Sequence, residues 1–279
     1  MKKLNIFKIF AIFIFIFSGV FALSGCSLIN NNIASTIEVN SNFTIKDAYE
    51  ALKADGYNKS FSEFIKEFFY YDITKTISDE CKPCVVSISR DQSAKTGSGV
   101  FIQIENNSAY ILTNYHVAYP IEYQEKFYIN LANDNEKTKT MTAYYECGDD
   151  LVDLAILKIE NDENVNQGKV ATFAETNAKD GETCIAIGNT HSKGISVTIG
   201  NVSKAHDVCE YTAATKRPRE VLMHCAYIEK GSSGGGLFNL AGELIGITNA
   251  GESGDTNLQN YAIRIETVME FLEDFINNL

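Results

Sequence analysis

Residues 230–239 read Lys-Gly-Ser-Ser-Gly-Gly-Gly-Leu-Phe-Asn. Two adjacent serines, Ser232 and Ser233, stand among glycines, and a strand-like run follows over 237–248. This setting suits a nucleophilic hydroxyl. Glycine permits φ > 0 and lets a substrate approach the main chain closely. Nearby N–H groups can then hold the oxyanion that forms when the hydroxyl attacks a carbonyl. A flexible Gly/Ser turn has the same composition, so the partners must decide. The G-x-S-x-G elbow pattern also fits 231–235, but the fold that uses it needs a histidine after the serine. The four histidines, His116, His191, His206 and His224, all precede Ser233. The order left standing is His, Asp, Ser.

Candidates for the first two positions are His116 and Asp153. His116 lies in Thr-Asn-Tyr-His-Val (113–117), directly after an apolar run. Asp153 heads Asp-Leu-Ala-Ile-Leu-Lys (153–158), one acid before an apolar strand. A carboxylate among apolar neighbours is costly unless paired. An imidazole N–H would satisfy it and fix the histidine tautomer. Asp149 and Asp150 read instead as solvated loop acids.

The elements that must position these residues are short strands. Alternating or apolar runs cover 85–90, 98–104, 109–113, 126–131, 141–147 and 151–159. A polar loop, 161–168, separates them from a second series at 183–187, 196–203, 221–228, 236–239, 243–248 and 260–265. Many short strands at regular spacing imply an all-β sandwich or barrel. The apolar stripe of Val268, Met269, Phe271, Leu272, Phe275 and Ile276 predicts a closing helix over 266–279. Before the strands, Thr44-Ile45-Lys46-Asp47 and Ser60-Phe61-Ser62-Glu63 have the capping-box pattern. They predict two short helices around Gly56-Tyr57, a packing or spacer element. The organisation expected is an N-terminal segment 1–25, a linker 26–42, a small helical region 43–76 and an all-β body 77–279.

Taken together, the motifs Gly97–Ile102, 113–117, 153–158, Ala186-Ile187-Gly188-Asn189, 197–203, 231–239, 239–247 and Tyr261-Ala262-Ile263 carry a resemblance. The chain resembles trypsin-like serine peptidases of the chymotrypsin fold, in particular the HtrA-like bacterial branch, over roughly 77–279. His116 to Asp153 is 37 residues and Asp153 to Ser233 is 80, both compatible with that fold. The resemblance implies two six-stranded antiparallel β-barrels and a C-terminal helix. It also implies Ser233 as nucleophile, His116 as base and Asp153 as its orienting acid. The N–H groups of Gly231 and Ser233 are then the oxyanion hole. Ser232 is the rival nucleophile, but the family pattern puts the serine two residues after the first glycine. Tyr227, six residues before Ser233, corresponds to the floor of the primary specificity pocket. A ring there implies cleavage after small or medium apolar residues and poor cleavage after Arg or Lys, with Glu229 as a possible attraction for basic side chains. Gly236 departs from the family's usual proline. The resemblance is to the peptidase domain without the PDZ domain that follows it in HtrA proteins, so peptide gating of that kind is not implied. The expected activity is endopeptidase action on protein or peptide substrates. The alternative is a pseudo-peptidase that binds peptides or partners through the same barrels.

Residues 1–25 hold Lys2, Lys3 and Lys8, a near-continuous apolar run over 9–17 and no acid. This is the pattern of an export signal. It ends in Leu23-Ser24-Gly25-Cys26, which resembles a bacterial lipobox and implies lipidation of Cys26. An uncleaved membrane anchor is the alternative. Both put the body outside the cytoplasm, tethered to the cell membrane. Two acyl chains suffice for stable anchoring. The net charge is −12, and losing the three signal lysines lowers it by three, to −15. Anionic lipid repels such a surface, so lipid and not charge would hold it. No basic patch marks a nucleic-acid partner.

Six cysteines remain after Cys26: Cys81, Cys84, Cys147, Cys184, Cys209 and Cys225. Outside the cytoplasm an even count suggests disulfides, but six cysteines allow 15 pairings. Cys81-Lys82-Pro83-Cys84 has redox-motif spacing without a surrounding βαβ pattern, which leaves a structural bridge or free thiols. No metal and no cofactor is expected. The lipobox yields a direct test. Cys26→Ala should release the protein from the membrane fraction or leave an unprocessed precursor. Fully processed, detergent-requiring Cys26→Ala protein would exclude the anchor.

Overall fold

The computed structural model describes residues 45–54, 56–65, 71–91, 95–119, 125–132, 140–209, 219–251 and 259–277. The signal segment 1–25, the linker 26–42, Cys26 and the first capping box's Thr44 lie outside the described residues. Among the described residues no helix is long and apolar enough to cross a membrane. The chain divides into two units, 1–71 and 72–279.

In the first unit, α1 (Ile45–Ala54) and α2 (Phe61–Ile65) form the expected pair. Gly56, at φ +101°, ends α1. The Tyr57 N–H donates to Leu52 O and the Gly56 N–H to Lys53 O, both at 3.0 Å. This is the Schellman closure that a left-handed glycine permits. The second capping box closes reciprocally. Ser60 N donates to Glu63 Oε2 at 2.8 Å, and Glu63 N to Ser60 Oγ at 3.3 Å. Tyr49 and Phe64 are buried, with ring centroids 5.4 Å apart.

The second unit opens with α3 (Tyr71–Cys81), where the sequence reading began the strands at about Ile77. Thr74, Ile77 and Cys81 are buried at helical spacing, and Lys75 pairs with Asp79 four residues on. The β-branched Ile73, Thr74, Thr76 and Ile77 favour strands on propensity alone; the buried stripe decides for helix.

Six strands then close an antiparallel barrel: β1 (Val85–Ser89), β2 (Lys95–Glu105), β3 (Ser108–Asn114), β4 (Lys126–Leu131), β5 (Met141–Asp149) and β6 (Leu154–Ile159). Their spatial order is β1-β2-β3-β6-β5-β4, with β4 returning to β1. A one-turn helix, α4 (Tyr115–Ala118), follows β3. The second barrel uses β8 (Thr183–Gly188), β9 (Ser196–Cys209), β10 (Arg219–His224), β11 (Gly236–Phe238), β12 (Glu243–Gly251) and β13 (Asn260–Arg264). These run β11-β8-β9-β10-β13-β12, and β12 closes on β11. A two-residue strand that sequence did not reveal, β7 (Thr172–Phe173), pairs in parallel with β12. The closing helix α5 spans Ile265–Asn277.

Three apolar clusters explain the strand patterns. Ala155, Leu157 and Ile159 of β6 face the first barrel's interior with Phe101, Ile111 and Phe127. Leu154 and Ile156 point the other way, into a shared core with Ile185, Ile187, Phe238, Ile247, Val268 and Leu272. Strand β6 is apolar at every position but Lys158 because both of its faces are buried. The second barrel's interior is filled by smaller groups, among them Cys184, Ala186, Val202, Leu222, Ala226 and Ala262.

His224 is fully buried. Burial pushes its pKa down to about 4. The folded state therefore holds a neutral ring that the unfolded chain protonates near ~6.5. Stability from this site is complete above the unfolded value and is lost as pH falls towards the folded one. Moving from near pH 7.5 to near pH 5 should cost about 2 kcal/mol. His224→Leu should flatten that dependence. Urea denaturation of both proteins at the two pH values measures it, and equal slopes would exclude His224 as the source.

Candidate active site

The chain brings His116, Asp153 and the 231–235 loop to the seam between the barrels. His116 is carried by α4, immediately after β3. Asp153 sits in the turn between β5 and β6 at φ +60°. Few non-glycine residues adopt this left-handed conformation, and Asp is one that does. Its carbonyl is held by the Tyr115 N–H at 3.0 Å and Asn114 Nδ2 at 3.1 Å.

The Asp153 side chain is 1% exposed. Oδ1 accepts the His116 backbone N–H at 2.9 Å, and Oδ2 lies 2.8 Å from His116 Nδ1. Asn249 Nδ2 donates to Oδ2 at 2.6 Å, and Arg219 Nη1 stands 2.8 Å from the same oxygen. Burial alone would raise this carboxyl's pKa. The His116 hydrogen bond and the charges of His116 and Arg219 outweigh it and hold the carboxyl below its ordinary value. An ionised carboxylate only accepts, so His116 Nδ1 carries the proton and Nε2 is left as acceptor.

The serine loop is threaded between the barrels by backbone contacts. Ser98, fully buried on β2, donates its N–H to Ser233 O at 2.8 Å and its hydroxyl to Gly231 O at 2.7 Å. The Asn189 N–H donates to the same hydroxyl at 2.8 Å, and Thr113 Oγ1 to Ser98 O at 2.6 Å. From β12, Thr248 Oγ1 donates to Ser232 O at 2.7 Å. Gly234 lies at φ +84°, where an added Cβ would come within 2.2 Å of Ser98 O and 2.3 Å of Thr113 Oγ1. Only glycine fits there.

The two serines have different surroundings. Ser232 is 2% exposed; its Oγ lies 3.0 Å from Thr190 Oγ1 and accepts the Glu229 N–H at 3.2 Å. Ser233 is half-buried, and its hydroxyl donates to the Asn249 carbonyl at 2.9 Å rather than to His116. The turn 229–232 is closed by the Ser232 N–H on Glu229 O at 2.8 Å, with Gly231 at φ +98°. Positive φ at the third residue is the type II pattern. Among the described residues, the Gly231 and Ser233 N–H groups donate to no protein acceptor.

Tyr227, six residues before Ser233, is placed at the surface. It is 40% exposed. Strand-like alternation explains this: Ala226 and Ile228 are buried, so Tyr227 between them turns outward. Its hydroxyl donates to Glu229 Oε1 at 3.0 Å and lies 3.3 Å from His191 Nε2. The six cysteines of the body are free thiols in this structure. Burial pushes Cys81 and Cys184 up to about 12 and Cys84 and Cys147 up to about 11. Thiols so rarely ionised are poor nucleophiles.

Ser98, Thr248, Asn249 and Arg219 were not singled out in the sequence for any role at the site. Ser98 carried the one available signal, its place in Gly97-Ser98-Gly99. The others make contacts between residues distant in sequence.

A family profile described as a trypsin-like peptidase domain matches residues 97–247. The chain is 36% identical over 165 residues to the serine protease Do-like HtrA of Bacillus subtilis, covering 58% of this chain and 34% of that one. It is 33% identical over 225 residues to the Do-like HtrB of the same organism, covering 72% and 46%. The chain thus spans less than half the length of these two relatives. Among solved structures, the HtrA-type protease AlgW with a tripeptide superposes with a TM-score of 0.59 at 25% identity, covering 74% of this chain and 64% of that one.

The unequal surroundings of the serines have a measurable consequence. Ser232→Ala removes the acceptor of the Glu229 N–H and the link to Thr190. It should lower unfolding free energy by about 1–3 kcal/mol. Ser233→Ala loses one hydroxyl donor and should stay within about 1 kcal/mol of wild type. Chemical denaturation compares them; the reverse order would contradict the assignment of Ser232 as the structural serine.

Proposed function

The chain belongs to the trypsin-like peptidase family, and on that premise we propose that it is a serine endopeptidase acting on proteins or peptides outside the cytoplasm, tethered to the membrane by lipid on Cys26. The observation that carries the catalytic reading is the His116–Asp153 pair. Both carboxylate oxygens engage the histidine, one at its backbone and one at Nδ1, which leaves Nε2 to act as base. Ser233 stands in a glycine-lined loop where the Gly231 and Ser233 N–H groups have no protein acceptor among the described residues.

In this reading Ser233 Oγ attacks the scissile carbonyl while His116 Nε2 takes its proton. The Gly231 and Ser233 N–H groups receive the oxyanion. His116 then protonates the leaving amine, and water repeats the sequence on the acyl-enzyme. Asp153 stays ionised throughout and stabilises the imidazolium. The first step requires the Ser233 hydroxyl to leave the Asn249 carbonyl for the imidazole. Catalytic hydrogen bonds of this kind often tighten only when substrate is bound.

That same Ser233–Asn249 bond favours a second reading, a barrel pair that binds peptides without cutting them. The extracytoplasmic part of the proposal draws on the 1–25 signal pattern and on Leu23-Ser24-Gly25-Cys26. The peptide substrate draws on the tripeptide in the AlgW structure.

A fluorophosphonate probe separates the readings. Wild type should label covalently, Ser233→Ala should not, and Ser232→Ala should retain substantial labelling. Removing the base in His116→Ala should slow labelling by ~10²–10⁴-fold. Folded wild-type protein that fails to react would favour the binding module.

A further inference from the structure

Arg219, the first residue of β10, stands at the seam with its side chain 3% exposed. Its guanidinium makes two hydrogen bonds and one charge contact with one turn of the other barrel. Nε donates to Leu151 O at 3.1 Å and Nη2 to Asp150 O at 2.8 Å. Nη1 makes a charge contact with Asp153 Oδ2 at 2.8 Å. We propose that Arg219 is a positioning residue for the His116–Asp153 pair, clamping the turn that carries Asp153 and setting the pH range in which the pair holds an unprotonated base. The inference rests on reading this site as a serine-peptidase centre.

The clamp follows from geometry. Leu151 and Asp150 lie two and three residues before Asp153, so their carbonyls report the path of the turn. Asp153 itself is at φ +60°, a conformation that costs energy for a non-glycine residue and persists only when its surroundings impose it. A planar fork can hold two carbonyls and a carboxylate at once. A lysine ammonium supplies the charge without that fork.

The charge effect follows from competition. An imidazolium at His116 is stabilised by the Asp153 carboxylate. A guanidinium on the same Oδ2 already compensates part of that negative charge, so proton uptake by the histidine gains less. The groups facing the carboxylate can be named element by element: His116 from α4, Arg219 from β10 and the uncharged Asn249 from β12. Its own turn adds Asp149, which accepts the Leu151 N–H at 2.7 Å, and the exposed Asp150. On β5, Tyr145 and Cys147 remain neutral at working pH, pushed up to about 12 and about 11, mainly by burial. Beside Arg219 on β10, the exposed Glu220 turns to Arg264 at 3.2 Å. Among the described residues, Arg219 is thus the fixed positive charge set against Asp153.

The test titrates His116 by NMR in histidine-labelled protein, with the resonance assigned by its loss in His116→Ala. It runs beside fluorophosphonate labelling across pH. Arg219→Gln should raise the His116 midpoint by roughly one pH unit relative to wild type. It should also slow labelling at neutral pH by roughly ten- to a hundredfold. Arg219→Lys should keep the midpoint close to wild type while still slowing labelling, because it retains charge and loses the fork. An unchanged midpoint in Arg219→Gln, or a midpoint in Arg219→Lys displaced as far as in Gln, overturns the charge role. Labelling as fast as wild type in both variants overturns the clamp. Should Arg219→Gln fail to fold, Arg219→Lys decides against wild type: a held midpoint with slowed labelling supports the proposal, and a displaced midpoint overturns it. Wild type that titrates normally but never labels would instead strike the peptidase reading, leaving the titrations to judge Arg219.

Discussion

Burying the Asp153 carboxylate would cost several kcal/mol without compensation, and much of the seam is arranged to meet that cost. Four groups from three elements converge on its two oxygens: the His116 N–H and ring, the Asn249 amide and the Arg219 guanidinium. Two of those elements, β10 and β12, belong to the second barrel, while Asp153 and His116 belong to the first. The carboxylate therefore does more than orient an imidazole. It fixes the two barrels to each other at the point where the serine loop must enter.

The serine loop answers the same constraint with backbone. A glycine-rich segment has few side chains to pack, so its position is set by what its carbonyls and N–H groups can find. Ser98 supplies two donors, one to Ser233 O and one to Gly231 O. Thr248 supplies another from the opposite side, to Ser232 O. With those carbonyls engaged, the Gly231 and Ser233 N–H groups remain free of protein acceptors among the described residues. The loop's order and its unused donors have one origin.

Much of this was legible in the sequence, and the misses have physical causes. Strand periodicity showed an all-β body because alternating and doubly buried strands leave distinct patterns, as in β6, and the family resemblance supplied its division into two barrels. His116, Asp153 and Ser233 stood out through their order and spacing, and the structure brings all three to one seam. Helix α3 was hidden because its β-branched residues favour strands locally, while the burial that makes it helical is tertiary. Asp153 was expected at the head of a strand; the left-handed turn that ends at it could not be read from its type. Arg219 and Asn249 left no local signal, since each reaches Asp153 across more than sixty residues of chain. The alternation of Ala226, Tyr227 and Ile228 turns the Tyr227 ring outward.

Asn249 ties the two halves of the site together. Its side-chain amide holds Asp153 Oδ2 at 2.6 Å, and its backbone carbonyl holds the Ser233 hydroxyl at 2.9 Å. One residue thus positions the acid and occupies the serine. Any shift of β12 at this point acts on both contacts, because the amide and the carbonyl move on one backbone. A shift that freed the serine hydroxyl while loosening the amide would weaken the base it needs. The Arg219 guanidinium meets the same Oδ2 from β10 and holds the carbonyls of the turn, not β12. It can hold Asp153 in place while β12 adjusts, so positioning the acid and releasing the serine need not depend on the same contact.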